Sequence, residues 1–268
     1  MKKILSVILL IAISISARAY KLQEVNVYSE SMKKDVPVIV VTPDSYETRE
    51  NFPVVYLLHG YSGTYKAWTD RTDVEELSDL YNIVIVTPDG GYDSWYFDSP
   101  FVPEYQYETF VSSELVNYID GNFKTIKDRT GRAITGLSMG GHGALHTAIK
   151  HQDVFGSVGS TSGGVDIRPF PTKWHIASRI GSYEEYPENW EKYTVINLTH
   201  LLAPGALNII IDCGVDDFFY KVNCNLHEKL LKDGIPHDFY TRPGAHNWAY
   251  WGNSIKYQML FFSNCFLD

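Results

Sequence analysis

The sequence predicts an α/β fold in which a mostly parallel central sheet is covered by helices on both faces. Short runs rich in Val and Ile alternate along the chain with longer stretches of helical periodicity, and this alternation is typical of repeated strand–helix units. The first two predicted strands have no helix between them, which indicates an antiparallel pair at the start of the sheet. The 268 residues, 44% hydrophobic and 21% charged, have the composition of a folded globular chain.

Eight short segments have the composition of strands. The first alternates polar and apolar residues around Val25 and Val27, as a half-buried strand does, and most of the later ones are continuously apolar, as strands buried on both faces are. The other seven lie at 36–41, 53–58, 82–86, 133–136, 155–162, 207–211 and 237–241. Helical patterns occur at 73–80, 111–119, 140–150, 218–231 and 251–262.

One segment, from Gly164 to Pro204, interrupts this alternation. It holds two Trp residues, three Tyr residues and several prolines. We therefore predict an insertion that lies over the edge of the sheet. Whether it acts as a lid stays open at this point.

The first nineteen residues have the pattern of a secretory signal peptide. Lys2 and Lys3 precede an uncharged apolar run, and Ala17 and Ala19 place small residues at positions −3 and −1 of a cleavage site. The apolar run is too short to span a bilayer comfortably, and an uncleaved core or amphipathic segment is the alternative. We expect a single domain at 20–268, a secreted or periplasmic location and no stable membrane insertion.

Charge and cysteine content narrow the function classes. The formal net charge of −9 and the pI of about 5.4 argue against a nucleic-acid partner, because binding phosphates needs a basic surface. Cys213, Cys224 and Cys265 have no CxxC spacing, so they indicate neither a zinc site nor a dithiol redox site. In an oxidising compartment they allow one disulfide and one free thiol, with the pairing and the oligomeric state left open.

A nucleophile motif lies between a predicted strand and a predicted helix. Gly136-Leu137-Ser138-Met139-Gly140 matches G-x-S-x-G, in which the serine occupies a sharp turn from a strand into a helix. Neighbouring backbone comes close at such a turn, so small residues are needed on both sides of the serine. The helix N-terminus supplies free N–H groups for developing negative charge. We predict that Ser138 is a catalytic nucleophile.

A serine hydroxyl needs a general base, and the base needs a carboxylate that orients it. In a strand–serine–helix arrangement of this kind, the acid and then the base come later in the chain. Asp216 and Asp217 lie in a loop after the predicted strand at 207–211, and His246 lies in a loop after the last predicted strand. We favour Asp217 as the acid, Asp216 as the cap of the next helix and His246 as the base.

Two backbone donors are needed to stabilise an oxyanion. The N–H of Met139, directly after the serine, is one candidate. His59-Gly60-Tyr61 ends the predicted strand at 53–58, and we assign the second donor to the N–H of Tyr61. An ordinary glycine turn is the alternative for this loop.

Four motifs together resemble the esterase D branch of the α/β-hydrolases, over nearly all of the chain from about Val25. They are Leu57-Leu58-His59-Gly60, Gly136-Leu137-Ser138-Met139-Gly140-Gly141, Cys213-Gly214-Val215-Asp216-Asp217 and Gly244-Ala245-His246-Asn247-Trp248. This branch includes feruloyl and acetyl-xylan esterases, tributyrin-type esterases, S-formylglutathione hydrolases and mycolyltransferases.

The resemblance implies an α/β-hydrolase fold with Ser138, Asp217 and His246 as nucleophile, acid and base. The segment Asp93-Ser94-Trp95-Tyr96 is similar to the family's loop beside the site, so Trp95, together with Trp248, is expected to contact substrate. The oxyanion loop departs from the family pattern, because it has His-Gly-Tyr-Ser-Gly instead of His-Gly-Gly-Gly.

The sequence therefore predicts a secreted serine carboxylesterase that acts on a small-molecule or oligosaccharide ester. Acetyl or feruloyl esters of plant polysaccharide and short-chain acyl esters are the candidate substrates. Two alternatives stay open: an acyltransferase of the same family that moves an acyl group to a sugar hydroxyl, and a catalytically inactive carbohydrate-binding module on the same scaffold. No cofactor is expected. His142 and His146 lie at i, i+4, but Gly143 stands where a metalloprotease has Glu, so no metal is predicted.

Overall fold

The computed structural model describes residues 20–267, so the predicted signal peptide lies outside the described residues. The strands are β1 (Lys21–Ser29), β2 (Lys34–Thr42), β3 (Val54–Leu58), β4 (Val84–Pro88), β5 (Arg132–Gly136), β6 (Ser157–Thr161), β7 (Asn208–Gly214) and β8 (Asp238–Arg242). They form one sheet in the order β1-β2-β4-β3-β5-β6-β7-β8. The β1–β2 and β2–β4 pairs are antiparallel and the other five are parallel. Each of the eight predicted strands is present, and the predicted α/β class is confirmed.

Helices follow most of the strands. They are α1 (Ala67–Arg71), α2 (Val74–Tyr81), α3 (Tyr107–Thr109), α4 (Leu115–Asn122), α5 (Met139–Lys150), α6 (Ala177–Ile180), α7 (Pro187–Tyr193), α8 (Tyr220–Lys232) and α9 (Trp248–Cys265). Short 3₁₀ segments lie at Asp44–Glu47, Arg129–Gly131 and Val195–Leu201. The predicted helix at 111–119 is present, but it begins as a π-helical turn, Phe110–Glu114, that continues into α4.

The central strands of the sheet are buried on both faces, whereas the edge strands β1 and β8 are largely exposed. Successive side chains of a strand point to opposite faces, and β3 displays this directly: Val54, Tyr56 and Leu58 belong to one hydrophobic core, and Val55 and Leu57 to the other. Residues of α4, α5 and α8 complete the first core, and residues of α2 and α9 complete the second. The continuous apolar runs recognised in the sequence are therefore the doubly covered strands of a parallel sheet.

Parallel pairing brings the ends of several strands to one edge of the sheet. Leu58 at the end of β3 pairs with Gly136 at the end of β5, and Gly214 of β7 pairs with Arg242 of β8. The loops that carry Tyr61, Ser138, Asp217 and His246 leave the sheet at these strand ends. This edge is where ligands bind in open parallel α/β sheets.

The insertion predicted from Gly164 to Pro204 lies between β6 and β7 and contains α6, α7 and the 3₁₀ segment Val195–Leu201. It packs against the loop that follows β4. The Tyr193 hydroxyl donates to the carbonyl oxygen of Asp98 at 2.6 Å, and the indole N–H of Trp95 donates to the carbonyl oxygen of Trp174 at 3.1 Å. The insertion and this loop thus form one layer beside the carboxyl edge of the sheet.

The cysteines and the lengths of the helices bear on two further expectations from the sequence. In the part of the chain that the structure describes, no disulfide joins Cys213, Cys224 and Cys265, so none of the pairings that the sequence left open is formed. Between residues 20 and 267, none of the helices is long and apolar enough to cross a membrane.

Candidate active site

Ser138 occupies the turn between β5 and α5. Its backbone has φ 56° and ψ −116°, a conformation that costs a non-glycine residue free energy and persists only where the surroundings enforce it. The N–H of Ser138 donates to the carbonyl oxygen of Thr161 at 3.0 Å, and its own carbonyl oxygen accepts the N–H of His142 at 3.0 Å. The strand on one side and the helix on the other therefore hold the serine in this turn.

Gly136 and Gly140 allow the turn to close. A Cβ atom at Gly136 would lie 2.6 Å from the carbonyl oxygen of Leu58 and 2.7 Å from the backbone of Gly140. A Cβ atom at Gly140 would lie closer than 3 Å to the carbonyl oxygens of Leu58 and His59. Because these neighbours are backbone atoms, they cannot rotate away as a side chain can. Both positions need glycine for close approach.

The structure brings Ser138, His246 and Asp217 together. Nε2 of His246 lies 2.9 Å from Oγ of Ser138, and Nδ1 of His246 lies 3.0 and 2.9 Å from the two carboxylate oxygens of Asp217. The Asp217 carboxylate is fully buried and the imidazole is 14% exposed. A carboxylate only accepts hydrogen bonds, so Nδ1 carries the proton and Nε2 presents its lone pair to the serine hydroxyl.

Contacts between the two loops fix this geometry. The N–H of Val215 donates to the carbonyl oxygen of Arg242 at 3.0 Å, and the N–H of Asp216 donates to that of Gly244 at 2.9 Å. The loop after β7 is therefore hydrogen-bonded to the loop after β8, which carries His246. A Cβ atom at Gly214 would lie closer than 3 Å to the backbone of Gly244, so the close contact also depends on glycine.

The prediction that Asp216 caps the next helix is wrong. Asp216 is exposed, and α8 begins after Phe219 without a side-chain cap. Oδ1 of Asp217 instead accepts the N–H of Phe219 at 2.8 Å. Asp217 therefore makes both contacts: it meets His246 and it accepts a hydrogen bond from the residue that precedes α8. Asp216 is exposed to solvent.

The two candidate oxyanion donors adjoin residues at the serine: Met139 follows Ser138 in the chain, and Tyr61 follows Gly60, where a Cβ atom would lie 3.3 Å from Cβ of Ser138. Tyr61 follows β3 and Met139 begins α5, and within residues 20–267 neither backbone N–H has a hydrogen-bond acceptor. Both Tyr61 and Ser138 line the same cleft. Two unused N–H groups beside a serine hydroxyl can receive negative charge that develops on a substrate oxygen.

The sequence predicts for His59 only that it ends a strand, whereas in the structure its ring holds the loop after β3 in place. Its Nε2 accepts the N–H of Gly90 at 2.7 Å, and its Nδ1 lies 2.8 Å from the carbonyl oxygen of Gly60. Nδ1 must therefore donate to Gly60. Burial lowers the pKa of His59, which favours this neutral form. The ring joins the loop after β3 to the loop after β4.

A cleft of about 560 Å³ opens above the serine. One wall is a chain of aromatic rings with the imidazole of His246 in the middle: Trp174 to Phe218 (5.6 Å between centroids), Phe218 to His246 (4.2 Å), His246 to Trp251 (4.9 Å) and Trp251 to Trp248 (5.3 Å). Thr64, Asp70 and Arg71 supply polar groups on the cleft lining. The cleft therefore combines flat apolar surfaces with polar groups.

The two tryptophans expected to contact substrate lie in different surroundings. Trp248 lines the cleft. Trp95 is only 1% exposed and packs against His142 and Trp174, with ring centroids 5.4 and 6.0 Å away, so the expectation that it contacts substrate is wrong. Trp174, which lies above it, lines the cleft instead. The aromatic content of the insertion was the available signal for Trp174.

His142 and His146 lie in the core, with rings stacked at 5.7 Å. Nδ1 of His142 lies 2.9 Å from the carbonyl oxygen of Gly164 at the start of the insertion. Burial lowers the pKa of His142 to about 4 and that of His146 well below its ordinary value. From residue 20 to residue 267, no group of three or more His, Cys, Asp or Glu side chains is arranged to hold a metal ion.

Comparison with known proteins identifies the family. The Esterase family model matches residues 29–262. The chain belongs to the Esterase family. It is 29% identical over 256 residues to an acetyl esterase of Caldicellulosiruptor saccharolyticus, covering 87% of this chain and 95% of that protein. It is 32% identical over 244 residues to a diacylglycerol acyltransferase/mycolyltransferase of Mycobacterium leprae, covering 77% and 73%.

A solved structure of a ferulic acid esterase is also similar. It superposes with a TM-score of 0.80 at 28% identity, covering 93% of this chain and 99% of that chain. The predicted α/β-hydrolase fold is confirmed, and so is the class of the enzyme, a carboxylesterase.

Proposed function

We propose that this esterase is an exported serine hydrolase that forms an acyl-enzyme on Ser138, with His246 as base and Asp217 as the acid of the triad. One observation carries the proposal: Oγ of Ser138, the imidazole of His246 and the carboxylate of Asp217 form an unbroken hydrogen-bonded series with separations of 2.9 to 3.0 Å. This is the arrangement that activates a weak hydroxyl nucleophile.

In the proposed reaction, Nε2 of His246 takes the proton of Ser138 as Oγ attacks the ester carbonyl carbon. The N–H groups of Tyr61 and Met139 stabilise the tetrahedral oxyanion, and Asp217 stabilises the imidazolium that forms. The imidazolium then gives its proton to the departing alcohol, which leaves an acyl-enzyme. Water, deprotonated by His246, attacks the acyl carbon, and the collapse of the second intermediate releases the acid and restores the hydroxyl.

The proposed substrates are acetyl or hydroxycinnamoyl esters of plant polysaccharide, with short-chain acyl esters as a further class. The names of two similar proteins, an acetyl esterase and a ferulic acid esterase, support the choice of acetyl and feruloyl esters. The cleft supports it too, because its aromatic wall suits a planar acyl group and its polar groups suit a sugar. We propose Trp248 as a substrate contact.

Replacing Ser138 by Ala tests the proposal. We expect turnover of p-nitrophenyl acetate to fall by roughly 10⁴- to 10⁶-fold, as triad deletions do, while the exposed Ser113→Ala control keeps wild-type activity. Near-normal hydrolysis by Ser138→Ala would overturn the assignment. A panel of acetyl, butyryl and feruloyl esters, with a feruloylated oligosaccharide, then ranks the substrates.

Export is part of the proposal and rests on the pattern of the first nineteen residues. N-terminal sequencing of the protein recovered from the periplasm or medium of an expressing bacterium should begin at Tyr20. Recovery of an intact N-terminus from the cytoplasm alone would contradict it.

Transfer to a sugar hydroxyl is the second candidate activity, favoured by the similarity to a diacylglycerol acyltransferase/mycolyltransferase. Both reactions share the acyl-enzyme and differ only in the acceptor. Product analysis with and without a disaccharide acceptor separates them, because a transferase yields an acylated sugar where a hydrolase yields the free acid. Binding of glycan without any turnover would instead support the non-catalytic module.

A further inference from the structure

Asp93 is a buried carboxylate that the proposed reaction does not use. It lies in the loop between β4 and α3, and its side chain is 7% exposed. Arg179 of α6 donates from Nη2 to both carboxylate oxygens at 2.7 and 2.9 Å and from Nε to Oδ1 at 3.2 Å. Nδ1 of His175 lies 2.9 Å from Oδ2. One carboxylate therefore holds two side chains of the insertion, and we call these three residues the Asp93 clamp.

The clamp is itself held in place. The guanidinium of Arg179 lies 3.7 Å from the centroid of the Tyr105 ring, and the carbonyl oxygen of Arg179 accepts the hydroxyl of Ser99 at 2.6 Å. Both partners belong to the same loop as Asp93. A planar, bidentate Arg–carboxylate pair fixes direction as well as distance, so the loop and the insertion are locked in one relative position.

The clamp lies directly beside a strained stretch of backbone. Trp174 and His175 have φ angles of 49° and 54°, and two consecutive non-glycine residues in the left-handed region need surrounding contacts to hold them. The indole N–H of Trp95 donates to the carbonyl oxygen of Trp174, and Nδ1 of His175 contacts Oδ2 of Asp93, so each of the two residues is held by a hydrogen bond. Trp174 reaches the cleft from this stretch, and its ring stacks on Phe218 with an interplanar angle of 21°.

We propose that Asp93 determines the acyl specificity of the esterase by positioning Trp174. Through the clamp, Trp174 and Phe218 are kept as a flat wall beside His246, and that wall binds a planar aromatic acyl group while Ser138 attacks its carbonyl carbon. The inference rests on the proposed function. An acetyl group has no aromatic ring to stack on this wall, so acetyl-ester hydrolysis does not depend on the clamp. Asp93 acts through Trp174 and touches neither substrate nor reacting atoms.

The chain offers a matched control inside the insertion. Arg168 donates to Asp166 from Nε and Nη2, each at 2.9 Å, which is a bidentate pair of the same kind. This pair joins neighbouring residues of one segment and contributes nothing to the cleft lining. Loss of the Asp166–Arg168 pair therefore reports the general cost of breaking such a contact.

The test compares Asp93→Asn and Asp166→Asn on methyl ferulate and p-nitrophenyl acetate. For Asp93→Asn, we expect KM for methyl ferulate to rise roughly 5- to 10-fold, as loss of aromatic stacking predicts, with kcat/KM for p-nitrophenyl acetate within about twofold of wild type. Asp166→Asn should leave both substrates unchanged. Unchanged KM for methyl ferulate, or equal losses on both substrates, would overturn the proposal.

Two additional measurements test the clamp if Asp93→Asn does not fold or if the wild type hydrolyses neither ester. If Asp93→Asn does not fold, Arg179→Lys keeps the charge but loses the bidentate contact, and the same substrate-dependent rise in KM is expected. If the wild type hydrolyses neither ester, the proposed function fails, and the clamp is judged by tryptophan fluorescence titration with ferulate. Weaker ferulate binding by Asp93→Asn than by wild type would support the clamp, whereas equal affinity, or no binding by wild type, would overturn it.

Discussion

The Asp217→Asn substitution removes one charge and keeps the shape of the side chain. In the wild type, His246 contacts both carboxylate oxygens of Asp217, and Oδ1 also accepts the N–H of Phe219 at 2.8 Å. An amide has a single acceptor oxygen, which the N–H of Phe219 retains, so the amide NH₂ group would face Nδ1. The imidazole would then carry its proton on Nε2, where it cannot accept the proton of Ser138.

The expected loss of kcat follows from the distance between the imidazolium and carboxylate charges. With the imidazolium and carboxylate charges about 4 Å apart and an effective dielectric constant of about 20, their attraction is about 4 kcal/mol. At about 1.4 kcal/mol for each tenfold in rate, loss of this attraction lowers kcat by about 10³-fold. The unfavourable tautomer adds about another tenfold, so we expect a loss of about 10⁴-fold, similar to that of the equivalent change in a serine protease.

The assay is steady-state hydrolysis of p-nitrophenyl acetate by Asp217→Asn and by Asp216→Asn. The control removes the same charge from the exposed neighbour, which contacts neither His246 nor Ser138. We expect KM to change by less than about threefold in both variants, because the effect on Asp217 is confined to the transition state. If Asp217→Asn kept more than about a tenth of wild-type kcat, or if Asp216→Asn fell equally far, the assignment of the acid would be refuted.

Acid should destabilise the fold through His142, because burial lowers its pKa to about 4. The contribution of neutral His142 to the free energy of unfolding is complete above its unfolded pKa of about 6.5, and about 3 kcal/mol of it is lost as the pH falls to about 4. Urea denaturation that gave equal free energies of unfolding at pH 7 and 4.5 would contradict this. Gly140→Ala should lower kcat at least about 100-fold by displacing the serine turn, whereas Gly121→Ala, where a Cβ meets nothing within 4 Å, should leave kcat unchanged. Asp212→Ala should lower the free energy of unfolding by about 3 kcal/mol, because the buried carboxylate of Asp212 accepts three side-chain hydrogen bonds. Urea denaturation measures this loss, and a value below about 1 kcal/mol would count against a stabilising role for these hydrogen bonds.

Local patterns predicted the strands and the residues that meet at the sheet edge. The apolar runs around Val55 and Ile210 are long enough to mark buried strands, and parallel pairing then brings their ends together. Ser138 and His246 could be placed because each lies in a short loop next to such a strand end. Chain order alone was sufficient to bring them to the same edge.

Long-range packing set the features that the sequence did not predict correctly. The sequence predicts Asp217 as the acid, but it does not predict that the same carboxylate also accepts the N–H of Phe219 and leaves Asp216 without a capping role. Trp95 is buried and Trp174 lines the cleft, and this difference depends on how the insertion packs against the loop after β4. No pattern within either segment encodes that difference.

The proposed reaction depends on covalent acylation of Ser138 after His246 removes its proton. Peptide mass spectrometry after treatment with a fluorophosphonate, which reacts with activated serines, tests it most directly. We expect one adduct per chain, located on Ser138, absent from Ser138→Ala and formed far more slowly in His246→Ala. An unlabelled folded wild type, or an adduct that persists in Ser138→Ala, would contradict it.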